Sequence, residues 1–309
     1  MLSGMRLSRD YYEEYGKDIL ERRFAPYLDK ITVGLVGEGS ECFGLDDELS
    51  KDHDYGPSFC IWLSEDTYRQ IGYHMRLIYE SFPKEYKGVA FKIRRKQAME
   101  RRGVIETKAF YRRFLGSNVY PKSVEEWLGL PESYLAVATN GEIFRGEDTE
   151  FMRIRRHLLK FYPEDVRRKK IAANLIKMAH CGQVNYARMS KRKDAVAARL
   201  ALDQFMQETI RVVYLLNKKY CPYYKWMWRG LAELPDDYGT GSILKSLAEN
   251  PIMAKENPYL IEIICRKIRE ELYRQDMSAD LSDYLEDQAL SVTERIEDEA
   301  LRNLPVMMG

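Results

Sequence analysis

Apolar positions recur at helical spacing from Ser8 to Tyr27 and then condense into ITVGLV (31–36), a short β-branched run closed by the turn formers Gly37, Gly39 and Ser40. A second apolar run, SFCIWL (58–63), follows a knot of acids. GVAFKI (88–93) and GVIETKAF (103–110) are two further strand candidates, separated by the basic segment RRKQAMERR. Helix and strand signals thus mix over the first part of the chain, which predicts an α/β or α+β domain. Near residue 150 the pattern changes, and almost everything beyond reads as helix. YPEDVRRKKIAANLIKMA (162–179) opens with Pro163 and two acids, both favoured at a helix start, and carries Val166, Ile171, Leu175 and Ala179 on one stripe. Lys193–Leu216 repeats the stripe with Leu202, Phe205, Ile210, Val213 and Leu216. Asn257–Gln275 does so with Leu260, Ile264, Ile268 and Leu272. ELPDDYGTGS (233–242) is the clearest internal loop. The fold class expected is α+β, with a mixed sheet flanked by helices over 1–148 and a helical bundle over 149–309.

Composition narrows the partners. A chain of 309 residues with 45% hydrophobic content can bury a substantial core. Its 49 Lys and Arg nearly cancel 48 Asp and Glu, so no broad field gathers nucleic acid or anionic lipid. Cys42, Cys60, Cys181, Cys221 and Cys265 are scattered, without zinc spacing or the density of a disulfide framework, a pattern suited to a reducing cytoplasm. The N-terminus lacks the apolar core of a signal peptide, and no run approaches the roughly 18–20 apolar residues of a membrane span. A cytoplasmic protein with no membrane partner is expected.

The acids between the first two strand candidates carry the chemistry. If His53 and its neighbours continue a strand, Asp52 and Asp54 point to one face and His53 to the other. Two carboxylates sharing that space repel unless a cation compensates, and hard oxygen ligands suit Mg²⁺ or Mn²⁺ with phosphate oxygens completing the shell. Gly39 lets backbone approach a ligand closely, and Ser40 supplies a hydroxyl of suitable reach for a phosphate. The pieces describe a metal–triphosphate site.

GEGSECFGLDDELSKDHD (37–54) resembles the signature of the DNA polymerase beta-like nucleotidyltransferase superfamily. There, a strand, a Gly-Ser turn and a short helix precede an Asp-x-Asp strand. Gly39, Ser40, Gly44, Ser50, Asp52 and Asp54 occupy the corresponding places, with Lys51 inserted before Asp52 and Tyr55-Gly56-Pro57 following the acids. More narrowly, this stretch with YRRFLG, VEEWLGLPE and CPYYKW resembles an uncharacterised bacterial nucleotidyltransferase-like family of unknown substrate. The resemblance implies transfer of a nucleoside monophosphate from an NTP, with ATP expected, to an acceptor hydroxyl. On it, Asp52 and Asp54 hold the metal and Gly39 with Ser40 holds the terminal phosphates. Glu106 is the candidate third carboxylate or base, and Lys92 the candidate cation for the triphosphate. A small, aminoglycoside-like acceptor is expected. A tRNA end or a protein hydroxyl is the enzymatic alternative, and a nucleotide-binding regulator without turnover is another. The sequence does not fix the oligomeric state.

Plainer readings stand beside these. The acids could simply cap turns. His53 reads as structural, and His74, His157 and His180 lack ligand spacing. RRKK from Arg167 and KRK from Lys191 read as helix-surface charge. Gln183, Asn185 and Arg188 suggest a cleft wall or, equally, a satisfied helix junction. CPYYKWMW reads as packing before base stacking. Nine acids between Asp276 and Glu299, against Arg295 alone, would attract a cationic acceptor if their helix lined a cleft.

Overall fold

The structure, a computed structural model, describes residues 3–52, 55–91 and 101–309; of these, the side chains of Lys51 and Asp52 are not described. The chain forms two compact units, one of Met1–Pro121 with Pro131–Lys160 and one of Lys122–Leu130 with Phe161–Gly309.

The first unit begins with α1 (Gly4–Tyr11), whose start is capped by the Ser3 hydroxyl accepting from Arg6 N. A π-helical turn, Tyr12–Gly16, leads into α2 (Lys17–Arg23), so the helix expected from Ser8 starts earlier and carries a bulge. Four strands then build one mixed sheet: β1 (Ile31–Leu35), β2 (Cys60–Leu63), β5 (Gly103–Glu106) and β6 (Glu142–Arg145), in the order β5-β2-β1-β6. A separate two-residue hairpin, β3 (Glu85–Tyr86) with β4 (Val89–Ala90), accounts for the start of GVAFKI; residues 92 and 93 lie outside the described residues. Strand β1 runs antiparallel to both neighbours, and β2 is parallel to β5.

All five residues of β1 are buried, as a central strand covered on both faces requires. Ile31, Val33, Ile61, Leu63 and Val104 turn to one face and pack with Leu7, Tyr11 and Tyr12 of the N-terminal helical segment and Met75 of α4 (Tyr73–Glu80). The short helix α3 (Glu65–Thr67) and a π-helical turn precede α4. On the other face Trp62 stacks on Phe151 with ring centroids 4.1 Å apart and meets the edge of Phe110 at 5.5 Å. Phe110 belongs to α5 (Thr107–Leu115), Phe151 to α8 (Glu150–Leu159), and α7 (Glu132–Thr139) lies between them in the chain. The expected strand GVIETKAF therefore ends at Glu106 and becomes helix, because the Glu106 carboxylate accepts the N–H groups of Lys108 and Ala109 and starts α5.

The second unit contains helices and no strand among the described residues. Its helices are α6 (Val124–Leu128), α9 (Glu164–Met178), α10 (Ala187–Arg192), α11 (Ala195–Leu216), α12 (Tyr224–Leu231), α13 (Gly241–Glu249), α14 (Asn257–Arg274), α15 (Leu285–Glu294) and α16 (Glu299–Asn303). Three expectations are corrected here. The RRKK run is not surface charge, since Arg167, Lys169 and Lys170 are buried. Arg167 closes the C-terminal end of α11 through Nε to Leu215 O at 2.8 Å and Nη2 to Leu216 O at 3.2 Å. Carbonyls left open at a helix end need donors, and a guanidinium supplies several. The acids of 276–299 do not share one helix: Asp276, Asp280 and Asp283 precede α15, and Asp298 caps α16. Gln183 ties α14 to the start of α15, donating to Glu262 at 2.9 Å and accepting from Leu285 N at 2.9 Å, which is the helix-junction reading. Tyr223, Tyr224 and Trp228 are exposed, so the packing expected of CPYYKWMW holds for Cys221 and Met227 but not for these three rings. Among the described residues no helix is long and apolar enough to cross a membrane.

Candidate functional site

The chain leaves the buried strand β1 and turns at once. Gly37 has φ 122°, and its N–H donates to Asn140 Oδ1 at 2.8 Å while its carbonyl accepts from Asn140 Nδ2 at 2.8 Å. One side-chain amide thus takes the place of a strand partner on both backbone groups. Gly39 lies at φ 123° and ψ 143°, a region essentially reserved for glycine. A Cβ there would stand 2.6 Å from the Glu41 carboxylate oxygens. Ser40–Phe43 then forms one 3₁₀ turn, closed by Gly44 in the left-handed conformation at φ 68°. The Ser40 hydroxyl is half-buried and has no hydrogen-bond partner among the described residues.

Charge fixes this turn from beneath. Arg102, at the entry to β5, donates to Glu38 O at 2.9 Å and to Glu41 Oε1 at 2.7 Å. Both side chains of that ion pair are under a tenth exposed, at 7% and 9%. Arg101 and Arg113 approach Glu38 Oε2 at 3.0 and 2.5 Å from two sides. Buried charges persist where they are paired and hydrogen-bonded, and Arg102 meets both conditions. Burial pushes the thiols of Cys42 and Cys60 above their ordinary range, which leaves them protonated and poor nucleophiles.

The acids sort themselves by partner. Asp46 accepts from Gly4 N at 2.8 Å and so helps start α1. Asp47 accepts from Ser50 N at 3.1 Å and Ser50 Oγ at 3.0 Å, holding the 3₁₀ turn Glu48–Asp52. Asp52 closes that turn and is not part of a strand; β2 begins only at Cys60. The expected placement of the Asp pair along a strand is corrected to this extent. The reason is local: the Asp47–Ser50 bonds favour a turn over an extended ladder. Asp54 and Lys92 lie outside the described residues, as does the side chain of Asp52.

Glu106 lies at the other end of the sheet. The register sets Gly34 opposite Cys60 and Cys60 opposite Gly103 at the end where the Gly-Ser turn leaves β1. It sets Ile31 opposite Leu63 and Leu63 opposite Glu106 at the far end. Three residues of strand separate the two ends, about 10 Å. Both Glu106 oxygens are engaged, at 2.7 Å to Lys108 N and 2.8 Å to Ala109 N.

Among the described residues no cluster of three His, Cys, Asp or Glu side chains is arranged for a metal ion. Glu38, Glu41, Asp46 and Asp47 have partners within the fold; whether Asp52 and Asp54 meet a metal lies outside the described residues. Hard, paired carboxylates are the donor type Mg²⁺ takes. Sequence reasoning missed the residues that shape the turn: Arg101, Arg102, Arg113 and Asn140. Asn140-Gly141 was visible as a turn-forming pair; Arg101 and Arg102 close the basic segment RRKQAMERR, but their partners Glu38 and Glu41 lie some sixty residues away in sequence, and Arg113 had no local signal.

Comparison with known proteins adds little chemistry. The sequence profile of a family described as "Domain of unknown function (DUF4037)" matches residues 127–227, about a third of the chain. None of the curated proteins matches. The chain is distantly similar in structure to the nucleotidyltransferase-like protein from Exiguobacterium sibiricum 255-15. The two share 9% identity with a TM-score of 0.35, over 89% of this chain and 78% of that one.

Proposed function

We propose that this protein is a metal-dependent nucleotidyltransferase that moves a nucleoside monophosphate from an NTP to an acceptor hydroxyl, a small molecule being the preferred acceptor. The observation that carries this reading is the Gly37–Gly44 turn. It leaves a central strand through a glycine-only conformation at Gly39, is locked by Asn140 and Arg102, and keeps the Ser40 hydroxyl uncommitted among the described residues. A turn with that much support and one free hydroxyl suits a rigid contact to a phosphate oxygen. Ser40 and the Gly39 backbone would hold the terminal phosphates. Asp52 and Asp54 would hold Mg²⁺, which when bound neutralises the triphosphate and polarises the phosphorus under attack. Glu106 does not enter the proposal, because its carboxylate is committed to α5 at the far end of the sheet.

The test is release of pyrophosphate from each of the four labelled NTPs with Mg²⁺ and pooled metabolites. Asp52→Asn and Asp54→Asn should each lower transfer by roughly a thousandfold or more, with circular dichroism unchanged. Ser40→Ala should act mainly on the KM for NTP, by about tenfold. Transfer near the wild-type rate in either Asp variant removes the proposed metal site; label that RNase or a protease releases moves the acceptor to RNA or protein.

A further inference from the structure

A cavity of about 570 Å³ runs along β5 in the first unit. Its volume falls within the range of small-molecule sites, and its walls are mainly apolar, with the rings of Tyr68, Tyr79 and Phe91 among them. Tyr79 is held rigidly: its hydroxyl donates to Phe59 O at 2.8 Å and accepts from Phe59 N at 3.1 Å.

One edge of this cavity is backbone. Strand β5 lies at the margin of the sheet and pairs with β2 alone among the described residues. Gly103 N donates to Phe59 O at 2.9 Å, so Gly103, and by alternation Ile105, direct their amide groups toward β2. Val104 then directs its N–H and C=O to the open edge. The residue is 7% exposed, and no described residue pairs with that amide. An adjacent donor and acceptor withdrawn from bulk water call for a partner.

The charges around the cavity tell against a polycation. Among the described residues Arg76, Lys84 and Arg102 line it against Glu80 and Glu106; Arg102 is committed to Glu38 and Glu41 and both Glu106 oxygens to α5, which leaves Arg76 and Lys84 against Glu80. We infer that the cavity binds a neutral, planar nitrogen heterocycle of the nucleobase class. Its ring lies among the aromatic walls, and its donor–acceptor edge meets Val104 N–H and C=O. The inference deepens the proposed transferase function and rests on it for taking the ring to belong to a nucleotide.

Calorimetric titration of the full chain with adenosine, guanosine, cytidine and uridine, without metal or phosphate, tests the cavity alone. At least one nucleoside should bind. Val104→Pro removes the outward N–H at an edge position that tolerates proline, and Ala109→Tyr fills the space from an exposed helical position; each should weaken that binding by roughly tenfold or more. If Val104→Pro does not fold, Ala109→Tyr decides. No binding by any of the four, or binding unchanged in folded Ala109→Tyr, overturns the inference. Nucleoside binding without NTP turnover would sink the transferase and spare the cavity. Turnover in Ala109→Tyr with an unchanged KM for NTP would do the reverse.

Discussion

Arg102 in the first unit and Lys169 in the second are both cationic side chains withdrawn from water, and they are held in opposite ways. Arg102 meets a carboxylate, two carbonyls and a sulfur: Glu41 at 2.7 Å, Glu38 O at 2.9 Å, Arg101 O at 3.0 Å and Cys42 Sγ at 3.5 Å. Lys169 is fully buried and meets the single carbonyl of Leu304 at 2.6 Å. A buried charge matched by an opposite charge can organise what surrounds it; one matched by a neutral dipole chiefly bears the cost of desolvation. The first arrangement sits under the proposed phosphate turn, and removing it should have the largest effect. Arg102→Met leaves the Glu41 carboxylate buried beside an apolar chain and should cost about 3–5 kcal/mol in urea unfolding. Adding Glu41→Gln to Arg102→Met should restore much of the loss. A double variant no more stable than the single one would mean that ion pairing is not what holds the turn.

Glu106 is a carboxylate whose partners are backbone amides instead of a cation. Its duty in the fold is to start α5, so Glu106→Ala should lower stability by about 1 kcal/mol, the usual worth of a helix N-cap. Transfer measured on the folded fraction should stay within a few-fold of wild type. Glu106→Gln with unchanged melting and abolished transfer would instead return this residue to the reacting centre.

These contrasts also mark what the sequence made legible. ITVGLV and SFCIWL announced β1 and β2, because continuous apolar runs bounded by turn formers are what doubly covered strands need. The Gly39-Ser40 turn was equally plain, since a Gly-only conformation leaves few other residues possible. Strand β6 escaped notice: Glu142 and Arg145 at its ends and its partly exposed residues hide a strand that pairing with β1 defines. GVIETKAF read as strand throughout because its propensities do; a single carboxylate folding back on two amides converts the second half to helix. The acids before β2 alternate as a strand would, yet the Asp47–Ser50 bonds draw Glu48–Asp52 into a turn. RRKK read as surface because the carbonyls that accept from Arg167 lie some fifty residues away in sequence, on α11. Apolar runs and glycine turns were readable; carboxylates folding back on nearby amides, and partners met across the fold, were not.

Lys169 provides the finest test of the comparison. Burial pushes its ammonium below the ordinary lysine range, so the folded protein binds that proton less tightly than the unfolded chain does. The unfolded chain therefore holds more protons between the depressed folded value and about 10.4, and stability contributed by this group rises with pH across that window. Lys169→Met preserves length and apolar contact while removing the titration. The melting temperature of wild type minus that of Lys169→Met should become more positive as pH is raised from 7 toward 10, since groups common to both proteins cancel in the difference. A difference that stays flat across this range would show that Lys169 carries no uncompensated charge, and that its one carbonyl serves it as well as the carboxylate serves Arg102.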